Sequence, residues 1–277
     1  RAVAEGADLI LGPLFGASTA TVADAVAGTG LRVLAFTNDT DRAGGPVFVT
    51  GYTPEGEVRR ILGYAASQGL RRVAVFHPAN AYGAKARRGA ESAPGVQLAA
   101  VASYPVSFKG IEGAAPAFAS LVQGSGAQAV LLPAGGNELK AVGSFMNYHE
   151  IDPERVRYLG TRKWNARATL GEPALRGGWF AAPDPDRADA FARRLGAETG
   201  GPVPPLAHLG YDAVTVAGRL AAEARATGSA MFAGHAFTRP AGFSGALGPL
   251  RFTPRQAAER ALAVLRVGEG RFELLDP

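Results

Sequence analysis

The stretch "ADLILGPLFGASTATVADAV", Ala7 to Val26, decides how this chain is read. An apolar run, "DLILGPL", leads through the small residues Gly16, Ala17, Ser18 and Thr19 into a helical pattern, "STATVADAVAGTG", that ends near Gly28 or Gly30. A buried strand running straight into a helix is half of a βαβ unit. The next buried strand, "LRVLAFT", follows at once.

Outward from there the alternation continues. After a loop rich in Asn, Asp and Gly comes the short strand "VFVTG", then the helical "TPEGEVRRILGYAASQG". Thr53 suits its N-cap, Pro54 its first helical position and Gly69 its end. The strands "RRVAVFHP", "VQLAAVASYP", "AQAVLLPA" and "VRYLGT" alternate with the helices "NAYGAKARRGAES", "IEGAAPAFASLVQGSG" and "NELKAVGSFMNYHE". Short apolar strands separated by helices predict parallel sheets covered on both faces.

The pattern changes at "GGWFAAPDP". Two long helices follow, and in the second Leu206, Leu209, Ala213, Val216, Ala217 and Leu220 form an apolar stripe. The chain closes in short antiparallel strands, with turns at "TPRQAAE" and "GEG". This order predicts an α/β fold of two doubly wound lobes joined by a multi-strand hinge. Lobe one takes residues 1–51 plus 182–246, and lobe two takes 52–181 plus 247–277. Open α/β sheets bind ligands at the carboxyl ends of their strands, which here means a crevice between the lobes.

Composition narrows the function. The 277 residues are 47% hydrophobic, enough for a sizeable core. The net charge of +5 comes largely from Arg. The doublets Arg59-Arg60, Arg71-Arg72 and Arg87-Arg88 sit on separate elements without interleaved aromatics, which describes a solvated surface and not a nucleic-acid patch. There is no Cys, so disulfides and thiolate metal sites are excluded. No apolar run approaches the roughly 20 residues of a membrane span. No signal peptide is present, and the chain opens at Arg1 rather than Met, so a processed or trimmed chain is expected.

The start of the first helix, Phe15 to Thr19, is the first candidate site. Free N–H groups and the positive end of the helix dipole attract a carboxylate or phosphate there, and Ser18 can add a hydroxyl or simply cap the helix. "GASTA" also approaches the G-x-S-x-G nucleophile elbow, with Ala20 in place of the last Gly, and Asp212 and His235 follow in hydrolase order. His235 has no supporting pattern, so a non-enzyme is expected. His77, His149 and His208 are scattered without metal-ligand spacing. "PAGGNE" lacks nucleotide-loop spacing, so neither metal nor cofactor is expected.

The segments "AVAEGADLILGPLFGASTATVA", "GLRVLAFTND", "VRRILGYAASQGLRRVAVFHPANAYG", "AVLLPAGGNEL", "RYLGTRKWN", "LRGGWFAAPDP", "LGYDAV" and "GPLRF" agree as an ordered set with a known family. The chain resembles the type I periplasmic binding proteins of the leucine/isoleucine/valine class, substrate receptors of ABC transporters, and especially the penicillin-binding-protein activator branch. The resemblance implies ligand contacts from Phe15, Gly16, Ala17 and Ser18, from the loop holding Thr37, Asn38 and Asp39, from Tyr82, from Gly135 and from Trp164. Asn and Asp in the second group equally suit ordinary turn chemistry. Amino-acid-binding members carry an acid near "TRKWNA" that pairs with the ligand's ammonium. Here stand Arg162, Lys163 and Trp164, a departure that favours an anionic or ring-bearing ligand.

The implied function is a periplasmic protein that holds a small polar or anionic solute and docks on a transporter permease. The alternative implied is a regulator of a peptidoglycan synthase, acting through surface contacts on that cell-wall enzyme. By the same resemblance, lobe one lacks its first βαβ unit. That leaves an unpaired strand edge, expected either because the chain is a fragment or because a partner chain or swapped segment fills the place.

Overall fold

The structure, a computed structural model, describes residues 2–277. The chain divides into two compact units, residues 2–53 with 185–261 and residues 54–184 with 262–277.

The first leg, in unit one, carries β1 (Leu9–Leu11), α1 (Gly16–Ala25), β2 (Arg32–Ala35) and β3 (Val47–Val49). The second, in unit two, carries α2 (Pro54–Ser67), β4 (Arg72–Pro78), α3 (Ala81–Glu91), β5 (Gln97–Tyr104) and α4 (Phe108–Ser125). It continues through β6 (Ala129–Leu131), α5 (Gly136–Tyr148), β7 (Arg157–Gly160), α6 (Arg167–Leu170) and β8 (Trp179–Ala182). The third leg returns to unit one with α7 (Pro185–Thr199), α8 (Ala207–Thr227), α9 (Gly234–Phe237), β9 (Phe243–Gly245), β10 (Gly248–Phe252) and β11 (Ala258–Arg260). The hairpin β12 (Ala263–Val267) and β13 (Phe272–Asp276) completes unit two.

Unit two is built on a seven-stranded sheet of order β13-β12-β8-β7-β6-β4-β5. The strands from β8 to β5 are parallel, and the closing hairpin adds antiparallel to β8. Ala74, Phe76, Val130, Leu132 and Tyr158 share one core with Phe118, Leu139 and Met146 of α4 and α5. Their neighbours Val73, Val75, Leu131 and Leu159 are fully buried too, so both faces of the sheet are covered. That is why these strands read as continuous apolar runs and not as alternating ones. Pro54 opens α2, as the sequence predicts, and Asn80 caps α3 by accepting the Gly83 N–H at 2.9 Å.

Unit one holds two three-stranded sheets, the parallel β1-β2-β3 and the antiparallel β11-β10-β9. Phe48, Phe237 and Phe252 centre its core, with the rings of Phe48 and Phe237 4.5 Å apart. Leu209, Ala213, Val216 and Leu220 of the predicted stripe are buried along α8, whereas Leu206 stands outside the helix and is exposed.

Two expectations change. The strand read at "DLILGPL" is only three residues long and partly exposed. Among the described residues β1 pairs with β2 alone, and an edge strand keeps solvent on one side. The last crossing between units falls after Ala261 and not after Ala246. The reason is pairing: β10 lies between β9 and β11, and Leu250 and Phe252 bury their side chains in the core of unit one.

Candidate functional site

In unit two the order β7-β6-β4 sets three strand ends side by side. Each continues into a polar loop: Tyr82 follows β4, Gly135 follows β6, and Thr161 to Lys163 follow β7. The loops meet. The Tyr82 hydroxyl lies 2.8 Å from the Thr161 hydroxyl, and the Lys163 ammonium sits 3.9 Å from the centroid of the Tyr82 ring. Gly135 backs onto Lys163, since a Cβ there would come within 2.9 Å of the Lys163 Cβ.

Glu57, in the first turn of α2, closes the base of this cluster. It is 2% exposed. Its Oε2 accepts the Arg162 backbone N–H at 3.1 Å, and its Oε1 accepts Arg162 Nε at 3.3 Å. The Tyr82 hydroxyl donates to Oε2 at 3.5 Å. Burial pushes the Glu57 carboxyl up to about 7, and the Arg162 charge and N–H donors oppose that rise. Burial, followed by the Glu57 carboxylate, holds the Tyr82 phenol above its ordinary value, so it stays neutral. The resemblance implies a ligand contact from Tyr82; its hydroxyl is engaged within the protein, by Thr161 and Glu57.

Glu57 and Thr161 are not among the residues that the resemblance implies. A signal for Glu57 was present: it stands four residues before Ile61, on the face of α2 that buries Val58, Ile61 and Ala65.

Trp164 is corrected outright as a surface for ligand. It is fully buried, and its Nε1–H donates to the Leu132 carbonyl at 3.0 Å. Gly160 makes room for it, because a Cβ there would lie 2.2 Å from the indole. Trp164 anchors the loop that carries Arg162 and Lys163.

In unit one, α1 begins at Gly16, and its N-cap position is Phe15, with no side-chain cap. Ser18 therefore lies within the first turn, exposed, and does not cap the helix. Thr19 is buried and donates back to the Phe15 carbonyl at 2.9 Å. Phe15 is 69% exposed. Gly16 lies against the loop after β2: a Cβ on it would sit 3.0 Å from Asp39 Oδ2 and 3.5 Å from Thr37 Oγ1. Thr37 is buried and accepts the Asp39 N–H at 3.1 Å, Asp39 accepts from Arg42 Nε at 3.2 Å, and Asn38 is exposed. Gly16, Thr37 and Asp39 are thus one cluster at the carboxyl end of β2, while Ala17 and Ser18 are exposed on the helix beside it.

Both clusters form where parallel strands end and helices begin, the position at which open α/β sheets take ligands. The sequence profile of one family, described as periplasmic binding protein, matches residues 1–271. This chain belongs to the periplasmic binding protein family. No curated protein matches it. Solved structures do. A Rhodospirillum rubrum protein described as a branched-chain amino acid ABC transporter superimposes with a TM-score of 0.80 at 18% identity, over 99% of this chain and 82% of its own. An ABC transporter substrate-binding protein from Desulfitobacterium hafniense, in complex with Leu, gives 0.69 at 19% identity, over 99% and 82%. A solute-binding protein of an R. palustris ABC transporter, in complex with benzoate, gives 0.65 at 16%, over 99% and 78%. At these identities the likeness establishes the shared fold. The penicillin-binding-protein activator branch does not emerge from these comparisons.

Family members bind substrates, and the hydrolase constellation gains nothing from the geometry of this periplasmic binding protein. The Asp212 carboxylate is committed to Arg260 and to the Ala246 N–H, each at 2.5 Å. Among the described residues no group of three or more His, Asp or Glu is placed to hold a metal ion.

Proposed function

We propose that this chain is an extracytoplasmic solute receptor of an ABC transporter, working in the periplasm, that holds a small polar ligand and presents it to a membrane permease. The observation that carries this is the family match over residues 1–271 together with polar clusters at the strand ends of each unit. On this reading Gly16, Ala17, Ser18, Thr37, Asn38 and Asp39 offer polar groups from unit one, and Phe15 offers an apolar edge. Tyr82 and Gly135 belong to the seat in unit two, with Lys163 and Arg162 added and Trp164 removed to a supporting role. Neighbours of this fold that bind leucine and benzoate set the ligand size to try.

A receptor of this kind gains stability with its ligand by mass action, by about 2.7 kcal/mol at a hundredfold excess over Kd. Thermal unfolding against a panel of amino acids, short peptides, muropeptides and aromatic and aliphatic carboxylates tests the reading. One chemical class should raise Tm in a concentration-dependent way. A flat response across the whole panel would remove the proposal.

A further inference from the structure

We propose that Lys163 sets the charge class of ligand accepted by unit two: its ammonium fills the cation seat over the Tyr82 ring, so the ligand group that approaches is a carboxylate or similar anion and not an ammonium. This rests on the solute-binding reading above and deepens it.

The face of a tyrosine ring attracts one cation within about 6 Å, and Lys163 Nζ is at 3.9 Å. An arriving ammonium would find that face taken and would meet a like charge beside it. The nearby carboxylate offers no substitute. Glu57 is 2% exposed, and its two oxygens already receive three donors, two from Arg162 and one from Tyr82. The origin of the Lys163 stem is set by its neighbours: Gly135 on one side leaves no room for a Cβ, and the next residue, Trp164, is locked in the core. Lys163 itself remains exposed to solvent, so its three N–H donors are reachable by an anion.

The test uses ligand pairs that share a carbon skeleton and differ in charge: benzoate against benzylamine, and 4-methylpentanoate against 3-methylbutylamine. Binding is measured by calorimetry on the whole chain with Lys163, Lys163→Met and Lys163→Arg. The wild-type chain should bind the carboxylate of at least one pair and favour it over the amine. Lys163→Met should weaken the carboxylate by roughly tenfold and narrow or reverse the preference, while Lys163→Arg should keep it. Since Lys163 is exposed, the Met variant should retain the wild-type circular dichroism. An unchanged preference in Lys163→Met overturns the inference, as does a wild-type chain that favours the amines or binds neither member of either pair. In those cases the solute-binding reading is judged separately, by whether the broader panel raises Tm.

Discussion

The guanidinium of Arg260 and the carboxylate of Asp212 form an ion pair inside unit one, with Nη1 2.5 Å from Oδ2 and side chains only 5% and 1% exposed. The same pair ties four segments together. Asp212 lies on α8 and accepts the Ala246 N–H of the β9–β10 turn, while Arg260 on β11 donates from Nε to the Thr50 carbonyl at 2.6 Å. Removing one partner leaves the other charge buried without compensation. Asp212→Ala should therefore cost unit one about 3–5 kcal/mol, and Asp212→Leu combined with Arg260→Met should cost less than Asp212→Ala alone. Both tryptophans, Trp164 and Trp179, lie in unit two, so their fluorescence is the wrong probe. Hydrogen exchange of the α8 amides is the right one. Equal protection in Asp212→Ala and wild type would refute the structural role.

Glu57 makes the stability of unit two depend on pH. Its carboxyl is raised from 4.5 to about 7 in the folded state, so the folded chain holds a proton that the unfolded chain releases. The associated stability is fully present below about pH 4.5 and is lost as pH rises through 7, by up to ~3 kcal/mol. Tryptophan-monitored urea unfolding between pH 4.5 and 8 should show this fall. In Glu57→Gln the slope should flatten, because the titrating group is gone. A slope that survives the substitution would assign the effect elsewhere.

Gly160→Ala should destabilise unit two by roughly 1–3 kcal/mol, since its Cβ would press on the Trp164 indole. The indole would have to move, and with it the bond to the Leu132 carbonyl. A red-shifted tryptophan emission together with a lowered urea midpoint is expected. Wild-type emission and stability would show that the slot is looser than its geometry implies.

Ser18→Ala separates two roles for the opening stretch. Ser18 is exposed and does not cap α1, so the substitution should leave stability within about 0.5 kcal/mol of wild type. If its hydroxyl serves the ligand, affinity for whichever solute raises Tm should fall by several fold while stability holds. A loss of stability without a change in affinity would return Ser18 to a purely structural part.

Much of the fold is legible along the chain because its causes are local. Apolar runs such as "RRVAVFHP" become buried strands, Asn80 caps the helix that follows, and Pro54 opens α2, since each of these reflects sterics and hydrogen bonding within a few residues. The family resemblance, carried by an ordered set of such segments, is legible for the same reason. The site was only partly so. The resemblance implies Tyr82, Gly135, Gly16, Thr37 and Asp39 as candidates, but what each one touches is not legible in the sequence.

The sequence by itself determined the alternation of strands and helices, the parallel sheet and the loops at which polar groups gather. Only the tertiary structure decided that Trp164 is core, that Glu57 is a buried acid under Tyr82, that Lys163 covers the tyrosine ring, and that β10 and β11 stay with unit one. These depend on which strand ends become neighbours. Glu57 and Arg162 are brought together by sheet order across a large gap in sequence, and no local pattern encodes the dielectric or the partner that a side chain will meet there.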